Sequence, residues 1–169
     1  GTLSDSLWNQ KMFCTIQEYE NFVFVPHAEE AVLEEHSWLK ERMQVVPYIP
    51  TMDIFQQENS WDPEAEHRHE IMVSCPNISN KFYADHYNHL NVHFPGRYFR
   101  LYGVQKEPVA DPRVVGTLPR DEFMSRYRES AGLFYHYDLP NVCHLPPIEM
   151  MIVGGPVIYQ RGSLLSKFL

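Results

Sequence analysis

Cysteine is scarce. The chain holds Cys14, Cys75 and Cys143, an odd number set far apart, which excludes a disulfide framework and a Cys-x-x-Cys metal site. Glycine is scarce too, with 8 in 169 residues. The stretch SCPNISNK, which follows a strand candidate, contains none, so the Gly-rich phosphate turn of a dinucleotide-binding enzyme is excluded there. No apolar run reaches the ~18 residues that a membrane-crossing helix needs. The opening GTLSDSLWNQ has neither the basic nor the apolar region of a secretory signal. Basic residues are outnumbered, 14 against 22 acidic ones, for a net charge of −8. A general nucleic-acid-binding surface wants the opposite balance, whereas a nucleotide site needs only local donors.

What is present is a globular composition, 44% hydrophobic and 14% aromatic. That suffices for one domain with a real core, or one domain and part of a second. Without a signal or a disulfide pattern, the expected location is the cytoplasm, at most against a membrane surface. The sequon-like Asn77-Ile78-Ser79 is read as a chance match.

Patterning divides the chain near residue 60. Before it, FVFV (22–25) and QVVPYI (44–49) read as short strands around a helix over 28–43, whose acids come early and bases late. Gln56 to Arg68 is polar, contains Pro63 and reads as a linker. After it, strand candidates alternate with helix candidates. Strands are expected at 69–75, 98–102, 114–115, 133–137 and 156–159, and helices at 81–94, 120–130 and 147–153, with a last helix opening at Ser163. Such alternation predicts an α/β fold, a Rossmann-like parallel sheet with helices on both faces. Ligands of these sheets sit beyond the carboxyl ends of the strands. That edge gathers 75–81, 103–105, 116–119 and 138–147.

The order of pieces along residues 69–169 resembles the carboxyl-terminal, donor-binding domain of GT-B glycosyltransferases, and in particular the retaining group 1 family. The pieces are IMVSCPNISNK, then FRLYG, then VVGTLPR, then a helix and a strand, then a Pro-x-Glu helix with GGPVI after it. Residues 22–55 are similar to the crossover between the two lobes of that family. The resemblance implies a nucleotide-sugar-binding domain over 61–169, with a lobe-junction segment and linker over 1–60. It implies transfer of a sugar from a nucleotide diphosphate carrier to a sugar or lipid-linked acceptor, in glycan or polysaccharide biosynthesis, with no cofactor. It further implies a fragment, inactive alone without the amino-terminal lobe.

Site residues follow from the same resemblance. Glu149 of the Pro-x-Glu helix would grip ribose hydroxyls, since a carboxylate accepts two protons at once. As a plain alternative, it is a helix-start acid favoured by the dipole. Lys81 falls on the family's phosphate-binding lysine, or is an ordinary exposed lysine. Gly116, Thr117 and Leu118 fall on the loop whose backbone reads the base, or form a simple strand-to-helix turn. Asn141, His144 and Leu145 border the same site. Two positions depart from the family: Asn141 stands where many retaining members have glutamate, and Pro76 where they have arginine. These departures motivate an alternative reading, a non-catalytic nucleotide- or sugar-binding module on the same fold.

Two other constellations compete. His86, His89 and His93 share one face of a helix at a spacing that suits zinc, or form a polar flank. A Cys143–His144 nucleophile pair is disfavoured, because adjacent residues rarely face each other.

Overall fold

A computed structural model describes residues 10–18, 21, 23–32, 35–47, 49–139 and 143–167. Helices α1 (Gln10–Glu18), α2 (Ser37–Lys40), α3 (Met52–Phe55), α4 (Lys81–His93), α5 (Arg120–Glu129) and α6 (Leu145–Val153) follow in chain order. The strands among the described residues are β1 (Ile71–Ser74), β2 (Phe99–Tyr102), β3 (Val114–Gly116), β4 (Gly132–Tyr135) and β5 (Val157–Tyr159). None of the described helices is long and apolar enough to cross a membrane. The chain divides into two compact units: Gly1–Ile49 with Leu139–Cys143 and Gly162–Phe168, and Pro50–Asp138 with His144–Arg161.

The second unit carries an α/β sheet of five parallel strands in the order β3-β2-β1-β4-β5. This is the Rossmann-like order, in which the chain leaves the first strand in both directions. Side chains alternate between faces. Val73, Leu101, Phe99 and Phe134 point to one face and pack with Leu90, Tyr87 and Cys75, so α4 covers that face. Tyr102 points to the other face and meets Phe123 of α5 edge-on at 5.6 Å. Tyr87 also donates to Asp111 Oδ2 at 2.7 Å, which ties α4 to the turn before β3.

Helix ends follow local chemistry. Asn80 caps α4 by accepting from the Phe82 N–H at 3.0 Å. Gly154 ends α6 in the left-handed region (φ 91°), with its N–H and that of Gly155 returning to Met151 and Met150. Only glycine takes that φ cheaply. Gly154→Ala is expected to cost about 1 kcal/mol, read as a lower urea midpoint with an unchanged slope.

Several expectations are corrected. The helix over 28–43 is broken into a 3-10 turn (Glu29–Val32) and α2. His36 between them is extended (ψ 144°). The flanking segments pair with each other: Phe24 N donates to Arg42 O, Gln44 N to Phe24 O, and Val46 N to Pro26 O. The pairing amounts to a single parallel bridge, Phe24 with Met43, because prolines at 26 and 47 withhold donors. The polar stretch 56–68 is held against the sheet unit: Asn59 N donates to Ile152 O, Trp61 N to Val153 O, and Trp61 Nε1 to Ser130 O. After Ser163 comes a 3-10 turn, Leu164–Lys167, in place of an α-helix.

Candidate functional site

A cavity of about 300 Å³ opens beyond the carboxyl ends of β1, β2 and β3, where Ser74, Tyr102 and Gly116 finish their strands. Ligands of parallel sheets bind at this edge. Met72, Tyr102, Phe123, Tyr127 and Leu133 make an apolar and aromatic wall. Gly116, Thr117 and Leu118 contribute the turn into α5, and Arg120 and Pro146 the starts of α5 and α6. Gly116 takes φ 78°, which lets its carbonyl accept from Gly103 N at 2.9 Å while the chain turns away. The N–H groups of Thr117 and Leu118 have no acceptor among the described residues.

Arg120 is the one cation among the residues lining this cavity. Its Nε donates to Asp53 Oδ2 at 2.6 Å. Its Nη2 donates to Thr51 Oγ1 and to Glu149 Oε1, each at 3.3 Å. Its Nη1 finds no acceptor among the described residues. Thr51 also donates to the second oxygen of Asp53. Bonds from Arg120, then from Thr51, hold the Asp53 carboxyl down to about 2.

Glu149 lies behind the wall. It is 5% exposed, and its Oε2 accepts from the hydroxyl of the fully buried Tyr127 at 2.9 Å. Burial first, and the neighbouring carboxylate second, push the Tyr127 phenol well up. The expectation of a helix-start acid is therefore corrected. Prolines are tolerated in a first turn, where N–H groups have no helical partner. Helix α6 consequently starts at Leu145 and contains Pro146 and Pro147, so Glu149 falls in its second turn.

No protein-family model, curated protein or solved structure matches the chain.

Of the residues singled out from sequence, Gly116, Thr117 and Leu118 line the cavity, and Glu149 is bonded to two residues that do. His144 and Leu145 do not line it, although Pro146 beside them does. His144 Nδ1 lies 3.1 Å from the Tyr135 hydroxyl and its ring 4.8 Å from that of Tyr137. Lys81 does not line the cavity either, and pairs with Asp85 at 3.2 Å on an open surface. Asn141 lies outside the described residues.

The helix of histidines splits. The His86 ring packs on His136 and Tyr137, each at 4.9 Å, while His89 and His93 stack at 4.3 Å. Among the described residues, no group of three His, Cys, Asp or Glu side chains is placed to hold a metal ion. Cys143 is buried and its thiol is pushed up to about 11, which works against a nucleophilic role.

Sequence reading passed over Arg120, Tyr127 and Asp53. The arginine closes the VVGTLPR string, and Tyr127 stands four after Phe123 on a helix stripe. Both were therefore legible as positions but not as a site. Asp53 is 67 residues from Arg120, and no local pattern announces that pair.

Proposed function

We propose that the sheet unit binds the nucleotide end of a nucleoside diphosphate sugar, as the donor-binding half of a GT-B-like glycosyltransferase serving glycan or polysaccharide biosynthesis. One observation carries the reading: the cavity at the carboxyl edge of a β3-β2-β1-β4-β5 parallel sheet, closed by the Gly116–Leu118 turn. A planar base would rest against the wall that Tyr102, Phe123 and Leu133 make, beside the unengaged N–H groups of Thr117 and Leu118. Glu149 acts as a positioning residue, since its two oxygens fix Arg120 and Tyr127. The diphosphate would lie towards Pro146 at the start of α6. The bond from sugar to phosphate oxygen breaks and the nucleoside diphosphate leaves with its electron pair; the acceptor hydroxyl oxygen forms the new bond and gives up its proton to that diphosphate or to water, at an acceptor site on another lobe.

The module reading, binding without transfer, draws support from Lys81 standing in an exposed pair and from Pro76 in place of an arginine. Calorimetry against a panel of nucleosides, nucleoside diphosphates and nucleotide sugars tests the binding common to both readings. At least one ligand should bind, and Arg120→Ala should weaken it by about tenfold or more, the worth of a ~1.5 kcal/mol charged hydrogen bond. A panel without a binder, or a binder indifferent to Arg120→Ala, would refute the site. Transfer or hydrolysis of the bound donor, measured with an added amino-terminal lobe, separates enzyme from module.

A further inference from the structure

The cavity offers donors and almost no net positive charge. Its unengaged groups include the Thr117 and Leu118 N–H groups, the Arg120 Nη1 group and the hydroxyls of Ser74, Tyr102 and Thr117. Apart from Arg120, these are uncharged. Arg120 is itself bracketed by two carboxylates, Asp53 at 2.6 Å and Glu149 at 3.3 Å. The three side chains together carry one more negative charge than positive. A phosphate approaching Nη1 would meet that surplus, whereas a neutral carbonyl would meet only the local N–H dipole.

Two further features near the site point the same way. Helix α6 borders the cavity, but prolines fill the second and third positions of its first turn, so two of the four N–H groups that usually favour a phosphate there are missing. Lys81 is not among the lining residues and is neutralised by Asp85 at 3.2 Å.

We infer that the cavity recognises its ligand through an uncharged planar ring bearing carbonyl groups, and not through phosphate, with Asp53 as the residue that sets this preference. This rests on the donor-site reading and narrows it to a base class. Uracil-like and guanine-like rings carry a carbonyl to accept from Arg120 and the turn, and adenine does not. Asp53 acts through Arg120 and is a specificity-determining residue: it keeps the guanidinium in place while cancelling its attraction for anions. Thr51, which donates to Asp53, fixes that carboxylate in turn.

The test is calorimetry of the full chain with uridine, uridine diphosphate, guanosine, guanosine diphosphate and adenosine, at low and high salt. For the ring that binds, nucleoside and diphosphate should agree within roughly threefold, and salt should alter their ratio by less than about twofold. Adenosine should bind at least about tenfold more weakly. Asp53→Asn should raise the ratio of diphosphate to nucleoside affinity by about fivefold or more, because only the anion senses the lost charge. A diphosphate binding at least about tenfold tighter than its nucleoside in the parent protein, with a steep salt dependence, would overturn the inference and leave the donor site standing. If neither nucleosides nor diphosphates bind, the donor-site reading falls and takes the inference with it. The ratio in the parent protein decides the matter even if Asp53→Asn folds poorly.

Discussion

Alanine in place of Glu149 is expected to lower the stability of the sheet unit by about 3 kcal/mol. The side chain is 5% exposed and serves as the only acceptor of the Tyr127 hydroxyl among the described residues. Its loss leaves that buried hydroxyl unsatisfied, at a cost of about 1–3 kcal/mol. It also deprives Arg120 of one of its two carboxylates. That second part is discounted, because the Arg120 side chain is 44% exposed and water screens it. Glu149→Gln keeps an acceptor for Tyr127 and should cost about half as much. Urea unfolding followed by tyrosine and tryptophan fluorescence reads both. A loss below about 1 kcal/mol for Glu149→Ala would show that Tyr127 finds another acceptor and that the carboxylate does not hold the wall.

The second large effect concerns acid. His136 is 3% exposed, and neither ring nitrogen has a hydrogen-bond partner among the described residues. Burial, then the nearby imidazoles of His86, His144 and His89, push it down to about 3. An unfolded histidine titrates near 6.5. Below that pH the unfolded chain takes a proton that the folded chain refuses. Stability is therefore full above pH ~6.5 and falls as the pH drops towards 3, by up to about 1.4 kcal/mol per pH unit. His86 and His144 are also pushed down, mainly by burial, and add to the same slope, while Asp138 works the other way on His86. Unfolding midpoints between pH 7 and 4.5 should show this fall. His136→Phe, which keeps a ring against Tyr137 at 4.1 Å, should flatten it by about one proton's worth. An equal slope in both proteins would mean that His136 is reached by water in the folded state.

The sheet was legible because its signals are local. Tyr98–Tyr102 is a run rich in aromatic residues stopped by Gly103, and the observed strand is Phe99–Tyr102. The helix expected over 81–94 is observed as Lys81–His93. The turn Gly116–Leu118 was found for the same reason, a glycine between a strand and a helix. What escaped depends on contacts between distant residues. The first turn of α6 was placed two residues late, because its prolines read as a boundary when they are its second and third residues. That shift moves Glu149 from an open helix end to a buried second turn. Trp61 looked like part of a polar linker, although its indole N–H closes on Ser130 across 69 residues. The like-charged run of glutamates fitted a helix dipole on paper and conceals the break at His36.

The three thiols give this chain a pair of internal clocks. Cys75 lies at 0% exposure beside the core under α4, and Cys143 at 3% in the other unit. Burial raises both to about 11, so an alkylating reagent at neutral pH reaches a reactive thiolate only when the surrounding structure opens. Cys14 is exposed and needs no such event. A single time course of mass addition therefore separates into an immediate step and two delayed ones. The delayed steps time the opening around Cys75 and around Cys143, without a label being introduced anywhere in the chain.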